Sequence, residues 1–155
     1  MKHLSRILSL LVLVCTALFL TNCGSDGGDE PSAADKQLEL LVGTWKITAA
    51  SFEGAAKTEF VNSTLSITSG KTFAFDAAST IVASPWPTSG TFEFGSDITS
   101  QLTFVHGNGD NIPATYSVSG NTLSIDLNNY TGENYDHEAR VAVVEGDWKF
   151  TLTKN

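Results

Sequence analysis

The feature that most constrains this chain is an alternation of apolar and polar residues with a period of two, which starts at Val42. Because successive side chains of a strand point to opposite faces, each alternating run predicts a strand with one buried face. Residues 139–144 are apolar more continuously and are interpreted as a further strand. The alternating apolar positions are Trp45, Ile47 and Ala49; Leu65 and Ile67; Phe73 and Phe75; Phe92 and Phe94; Leu102 and Phe104; Tyr116 and Val118; Leu123, Ile125 and Leu127; and Trp148, Phe150 and Leu152.

Residues typical of turns separate these runs, at 69–71, 107–111, 119–121 and 145–147. One or two helical turns are expected at residues 36–41, and no helical periodicity appears after residue 42. Many short strands that each carry one apolar face can bury all of those faces, without exposed edges, if the sheet closes on itself. The sequence therefore predicts an all-β, up-and-down antiparallel β-barrel of about eight strands, with a two-sheet sandwich as the alternative.

The N-terminus has the layout of an export signal: a short basic stretch, an apolar run over residues 7–20, and Cys23. As a helix the apolar run would reach about 21 Å, short of the roughly 30 Å hydrocarbon core, which disfavours a permanent transmembrane helix. Residues 20–23 resemble a bacterial lipobox, which implies cleavage before Cys23 and acylation of that residue, with palmitate as a typical chain. An ordinary signal peptide with an incidental cysteine is the alternative.

Three segments follow from this reading: a lipoprotein signal peptide over 1–22, a lipidated flexible tether over 23–34 and a β-barrel domain over 35–155. The tether is rich in Gly, Ser and Asp and has no large apolar residue. The expected location is the cell envelope, lipid-anchored in the outer membrane and facing the periplasm or the cell surface. The bilayer, held through acylated Cys23, is thus the first expected partner.

Charge and cysteine content narrow the classes of function. The formal charge is −8, and loss of Lys2 and Arg6 with the signal peptide leaves 7 basic and 17 acidic side chains, or −10. A surface this acidic argues against nucleic acid or anionic lipid headgroups as partners. Cys15 leaves with the signal peptide and Cys23 is acylated, so the mature domain has no disulfide and no cysteine metal site.

The first and last strands share a pattern, Gly43-Thr44-Trp45 and Gly146-Asp147-Trp148. If the strand number is even, these strands pair antiparallel when the barrel closes, and the two tryptophans then lie at opposite ends. The run around Gly43-Thr44-Trp45 also resembles the Gly-x-Trp opening of lipocalin-like domains. Together with residues 85–94, 116–125 and 146–154, the chain resembles the uncharacterised lipocalin-like lipoproteins of Gram-negative bacteria over about residues 40–155. The resemblance implies an eight-stranded up-and-down barrel.

The three tryptophans are the candidate ligand-binding residues. Trp45 and Trp148 line a ligand cavity or, as we favour, close the barrel as core. Trp86 stands between Pro85 and Pro87, which keeps it out of a central strand. It either contacts a glycan or partner protein from a loop or, as we favour, folds over a barrel end.

Two polar clusters have ligand types that suit Ca²⁺: His106, Asn108, Asp110 and Asn111, and then Glu133, Asp136, His137 and Glu138. Neither has a recognised metal-ligand spacing, so solvated turns are the favoured interpretation, and no metal or cofactor is expected. No nucleophile or phosphate-binding motif is present, so an enzyme is not expected. We expect a membrane-anchored extracytoplasmic lipoprotein that binds a small apolar ligand or an envelope partner. The alternatives are a loop-based glycan- or protein-interaction module, a structural accessory of an envelope complex and, less favoured, a glycan-processing enzyme.

Overall fold

A computed structural model describes residues 30–81, 84–107, 109, 111–131 and 144–155. These residues contain one α-helix, α1 (Ala33–Leu41), and a 3-10 helix at Thr58–Phe60. No helix in the described ranges has both the length and the apolar content needed to cross a bilayer. The strands are β1 (Gly43–Phe52), β2 (Ala55–Ala56), β3 (Thr64–Ile67), β4 (Thr72–Asp76), β5 (Ser89–Phe94), β6 (Gln101–His106), β7 (Asn111–Ser119), β8 (Thr122–Tyr130) and β9 (Gly146–Lys154).

The sheet closes into an up-and-down barrel, as the alternation predicts. From β3 to β9 each strand pairs antiparallel with the next one along the chain, and β1 pairs with both β3 and β9. Eight strands thus form the closed barrel, while β2 adds a two-residue pairing to the end of β1. Closure gives every strand of the barrel two neighbours, which removes the exposed edges that a sandwich would leave.

One inward position is predicted wrongly, in β1. Trp45 and Ile47 point into the barrel, but Ala49 is exposed and Ala50 is buried instead. The pairing of β1 with β9 shifts register between Ile47 and Ala49, which marks a β-bulge. An extra residue in one strand reverses the side chains that follow it, so the alternation changes phase at this point.

The connections agree with the predicted turns except at one place. Residues 68–71 join β3 to β4, and the hairpin expected at residues 119–121 joins β7 to β8. The turn predicted at residues 145–147 is wrong, because β9 begins at Gly146. Of the strand predicted at 139–144, residues 139–143 lie outside the described residues, and Val144 is buried just before β9. Helix α1 begins at Ala33, within the segment assigned to the tether.

The core is the barrel interior, and the barrel has two different ends. At one end, here called the helix end, α1 leads into β1 and short turns join β3 to β4 and β7 to β8. At the other, here called the loop end, β1, β4, β6 and β8 finish, and the longer connections 53–63 and 77–88 begin. The side chains of the candidate site described below come from strands near the loop end and from these two connections.

Candidate functional site in the barrel interior

Two buried tryptophans are held by the same local device at opposite ends of the barrel. The indole Nε1 of Trp45 donates to the carbonyl of Leu41, and that of Trp148 donates to the carbonyl of Val144, each over 2.7 Å. Both acceptors lie four residues before the tryptophan. Trp45 is paired with Lys154 in β9, whereas Trp148 is paired with Phe52 at the far end of β1, which confirms the expected placement.

Glycine makes this device possible. Gly43 and Gly146 each stand two residues before the tryptophan and have φ values of 140° and 141°. Residues other than glycine rarely adopt φ values in this range. At Gly146 a Cβ would also clash with the Glu53 carboxylate. The shared sequence pattern of the first and last strands therefore encodes a shared conformation, and both indoles are satisfied core residues.

Trp86 also lies inside the barrel, although it belongs to a connection. It is 2% exposed. The favoured prediction is that it folds over a barrel end, but the structure places it deeper, among the strands. Its backbone N–H donates to the Ser84 hydroxyl at 3.0 Å, and that hydroxyl lies 3.3 Å from the Trp86 carbonyl. Ser84 is itself buried. Sequence reasoning missed Ser84, although a serine two residues before the anchored position is a common turn motif.

The Trp86 ring is packed against three strands that surround it. Its centroid lies 6.1 Å from that of Phe75 in β4 with nearly parallel planes, 5.0 Å from Phe104 in β6 and 5.1 Å from Phe150 in β9, the last two edge to face. These are favourable aromatic geometries. Because the three strands lie on different sides of the barrel, Trp86 occupies the interior rather than a position above it.

Phe60 is a second residue that enters the interior from a connection. It is fully buried, and its ring centroid lies 5.5 Å from that of Trp148 and 5.4 Å from that of Phe150, in edge-to-face geometry. No sequence pattern identifies Phe60, because it lies in a 3-10 helix outside any alternating run. We call Phe60 and Trp86 together the aromatic plug of the loop end.

The three indoles differ in their hydrogen bonding. Trp45 and Trp148 donate their N–H groups to carbonyls, but Trp86 Nε1 has no hydrogen-bond partner. Within the part of the chain that the structure describes, it is the one buried side-chain nitrogen or oxygen atom in this state. Buried donors are nearly always paired, and an unpaired one costs about 1–3 kcal/mol. A donor ready for an acceptor thus lies among aromatic rings.

The structure describes only some residues of the two polar clusters that the sequence offers as cation sites. His106 is half-buried, with Nδ1 3.1 Å from the Ser89 carbonyl oxygen, and Asn111 is exposed at the start of β7. Asn108, Asp110 and the cluster at residues 133–138 lie outside the described residues, as does Cys23. Among the residues with described positions, no three His, Cys, Asp or Glu side chains gather as a metal site would require.

The resolved pKa shifts of acidic groups lie at the helix end, away from the aromatic plug. Hydrogen bonds from the hydroxyl of Ser100 and from the hydroxyl and N–H of Thr99 hold the pKa of the Asp97 carboxyl below its usual value. Burial raises the pKa of Tyr116, whose hydroxyl donates to the Ile98 carbonyl. Both groups stabilise the connection between β5 and β6 and therefore have a structural role.

The outer face of β6, β7 and β8 has two shallow concavities. They have volumes of about 350 and 230 Å³. Small polar side chains dominate their linings, and the larger one also contains Pro113. Tyr116 forms part of the lining of the smaller one, but this residue is buried and does not present its ring for a sugar to stack on. The barrel interior is thus the better candidate for a ligand site.

Comparisons of the chain with protein-family models, with curated proteins and with solved structures found no match.

Proposed function

We propose that this protein is a lipid-anchored extracytoplasmic barrel that binds a small, mostly apolar ligand in its interior. The observation that carries the proposal is the unpaired Trp86 N–H, buried among Phe75, Phe104 and Phe150. Apolar pockets with a few well-placed polar groups are typical small-molecule sites. Acylated Cys23 would hold the protein at the outer membrane through two or three acyl chains, a stable form of anchoring.

The position of the site follows from the two ends of the barrel. At the helix end the Trp45 indole is bonded to the last residue of α1, and Leu38 and Leu41 pack on the core. At the loop end, closure within the described residues comes from the aromatic plug, whose members belong to connections. The connection that carries Trp86 is held by Ser84 and Ser63. The connection that carries Phe60 is the member of the plug expected to move, since connections rearrange more readily than strands do. A ligand therefore enters at the loop end and meets Trp86.

Adjacent alanines in β1 provide a matched test of where a ligand binds. Ala50 points inward and pairs with Phe150, which contacts Trp86, whereas Ala49 points outward. We would titrate the mature protein with the neutral fluorescent probe N-phenyl-1-naphthylamine and follow energy transfer from the tryptophans. Ala50→Leu fills interior space, so we expect it to weaken saturable binding by about fivefold or more, whereas Ala49→Leu changes it less than about twofold.

Absence of saturable binding to the folded protein would contradict the proposal. Equal effects of the two alanine substitutions would contradict it as well, because the probe would then bind outside the barrel. The anchor is tested separately with Cys23→Ser, which we expect to abolish labelling by radioactive palmitate and to move the protein out of the membrane fraction. Unchanged labelling of that variant would refute acylation at Cys23.

A further inference from the structure

The polar groups in the barrel interior restrict the chemical class of the ligand more narrowly than the apolar lining alone does. Near Trp86 the neighbours are the rings of Phe75, Phe104 and Phe150. The buried polar residues Ser63 and Ser84 already have partners, since the Ser63 hydroxyl accepts from the Ala78 N–H and Ser84 bonds the Trp86 backbone. Among the described residues, a ligand in contact with this region meets one unpaired side-chain donor and the faces and edges of aromatic rings.

The free donor is also fixed in position. Ser84 holds the Trp86 backbone, and the same connection is tied at both ends, where the Ala78 N–H donates to Ser63 and the Phe75 N–H donates to the Thr88 carbonyl. Three ring contacts then determine the orientation of the indole. A preorganised donor recognises an acceptor without the entropic cost of ordering a side chain.

We propose that the ligand is an uncharged molecule with an apolar body and one oxygen acceptor, such as a ketone, ester or ether, and that this oxygen accepts a hydrogen bond from Trp86 Nε1. This inference depends on the proposed function. A pure hydrocarbon leaves the N–H unpaired and gains nothing from it. A carboxylate is disfavoured because no Lys, Arg or His is among the buried described residues, and one neutral donor does not offset the desolvation of an anion.

Three probes of equal chain length test this assignment: 2-decanone, decane and decanoate, each competing with N-phenyl-1-naphthylamine for the mature protein. We expect 2-decanone to bind about fivefold more tightly than decane, the value of one net hydrogen bond, and decanoate to bind more weakly than 2-decanone. In Trp86→Phe we expect 2-decanone to bind no more tightly than decane, because the variant keeps a ring but lacks the donor and the ketone oxygen is then buried without a partner.

A second measurement does not depend on the stability of a variant. In a ¹⁵N spectrum of the indole N–H groups, 2-decanone should shift the Trp86 resonance downfield, while the resonances of Trp45 and Trp148, which already donate to carbonyls, should move little.

For the competition assay, Trp148→Phe is the matched control for Trp86→Phe and should retain the preference for 2-decanone over decane. Binding of all three probes without preference and without a Trp86 shift would overturn the inference but leave interior binding intact. Failure of every probe to bind would overturn interior binding and, with it, the inference.

Discussion

Replacing Trp86 and Trp148 separately by Phe compares two buried indoles that differ in their hydrogen bonding. Trp86 is 2% exposed and Trp148 is 0% exposed, and both rings pack against Phe150. The two substitutions therefore remove similar apolar contacts and leave similar cavities. What differs is the N–H group, which donates to the Val144 carbonyl in Trp148 and has no partner in Trp86.

The expected difference follows from that contrast. Trp148→Phe leaves the Val144 carbonyl without its donor, which costs about 1–3 kcal/mol beyond the packing loss. Trp86→Phe removes a donor that is already buried without a partner in the folded state. Its removal therefore offsets about 1–3 kcal/mol of the free energy of unfolding that is lost with the packing contacts. We therefore expect Trp86→Phe to destabilise the protein less than Trp148→Phe does, by about 2 kcal/mol or more.

Urea unfolding of the ligand-free protein, followed by circular dichroism, measures this difference. With a slope of about 1–2 kcal/mol per molar, the midpoint of Trp148→Phe should lie about 1 M or more below that of Trp86→Phe. Equal slopes are the control that both variants unfold in the same way. If the two substitutions lower the free energy of unfolding equally, the Trp86 N–H has a hydrogen-bond partner in the folded protein and is not available to a ligand.

Two further predictions concern the scaffold. Gly146→Ala should destabilise the domain by about 1–3 kcal/mol in the same urea assay, because φ is 141° at this position and a Cβ would clash with Glu53. Gly107→Ala is the control: a Cβ has open space there, so the free energy of unfolding should change little. The pKa of Asp97 is lowered on folding, so its contribution to stability is present above the usual carboxyl pKa and is lost as the pH falls through the folded-state pKa. Asp97→Asn should therefore reduce the loss of stability between about pH 5 and about pH 2, and an unchanged acid profile would contradict this.

The sequence contains most of the information about the barrel because its signal is local. Alternation reports which side of a strand faces the core, and runs such as Leu123–Leu127 and Trp148–Leu152 are buried at every second residue. The phase change after Ile47 escaped prediction because a bulge depends on the pairing with β9 rather than on β1 alone. The start of β9 at Gly146 was missed for a related reason: glycine and aspartate are typical of turns, but here the glycine allows the backbone to place the Trp148 indole.

The site was less predictable because it is built by long-range contacts. The prolines around Trp86 indicate that it lies outside the strands, and its aromatic character favours burial, but neither property identifies Phe104 or Phe150 as its neighbours. Phe60 gives no signal at all, since a single phenylalanine in an irregular segment has no periodicity. Whether an indole N–H is paired also depends on the carbonyls that the fold brings near it, and no local pattern reports that.

The most direct test is a crystal structure of the mature protein with 2-decanone bound. We expect the hydrocarbon chain inside the barrel at the loop end, and the ketone oxygen about 2.9 Å from Trp86 Nε1, an ordinary hydrogen-bond distance. A ketone on the outer face of β6–β8, or one inside the barrel whose oxygen contacts other groups while Nε1 stays unpaired, would contradict it.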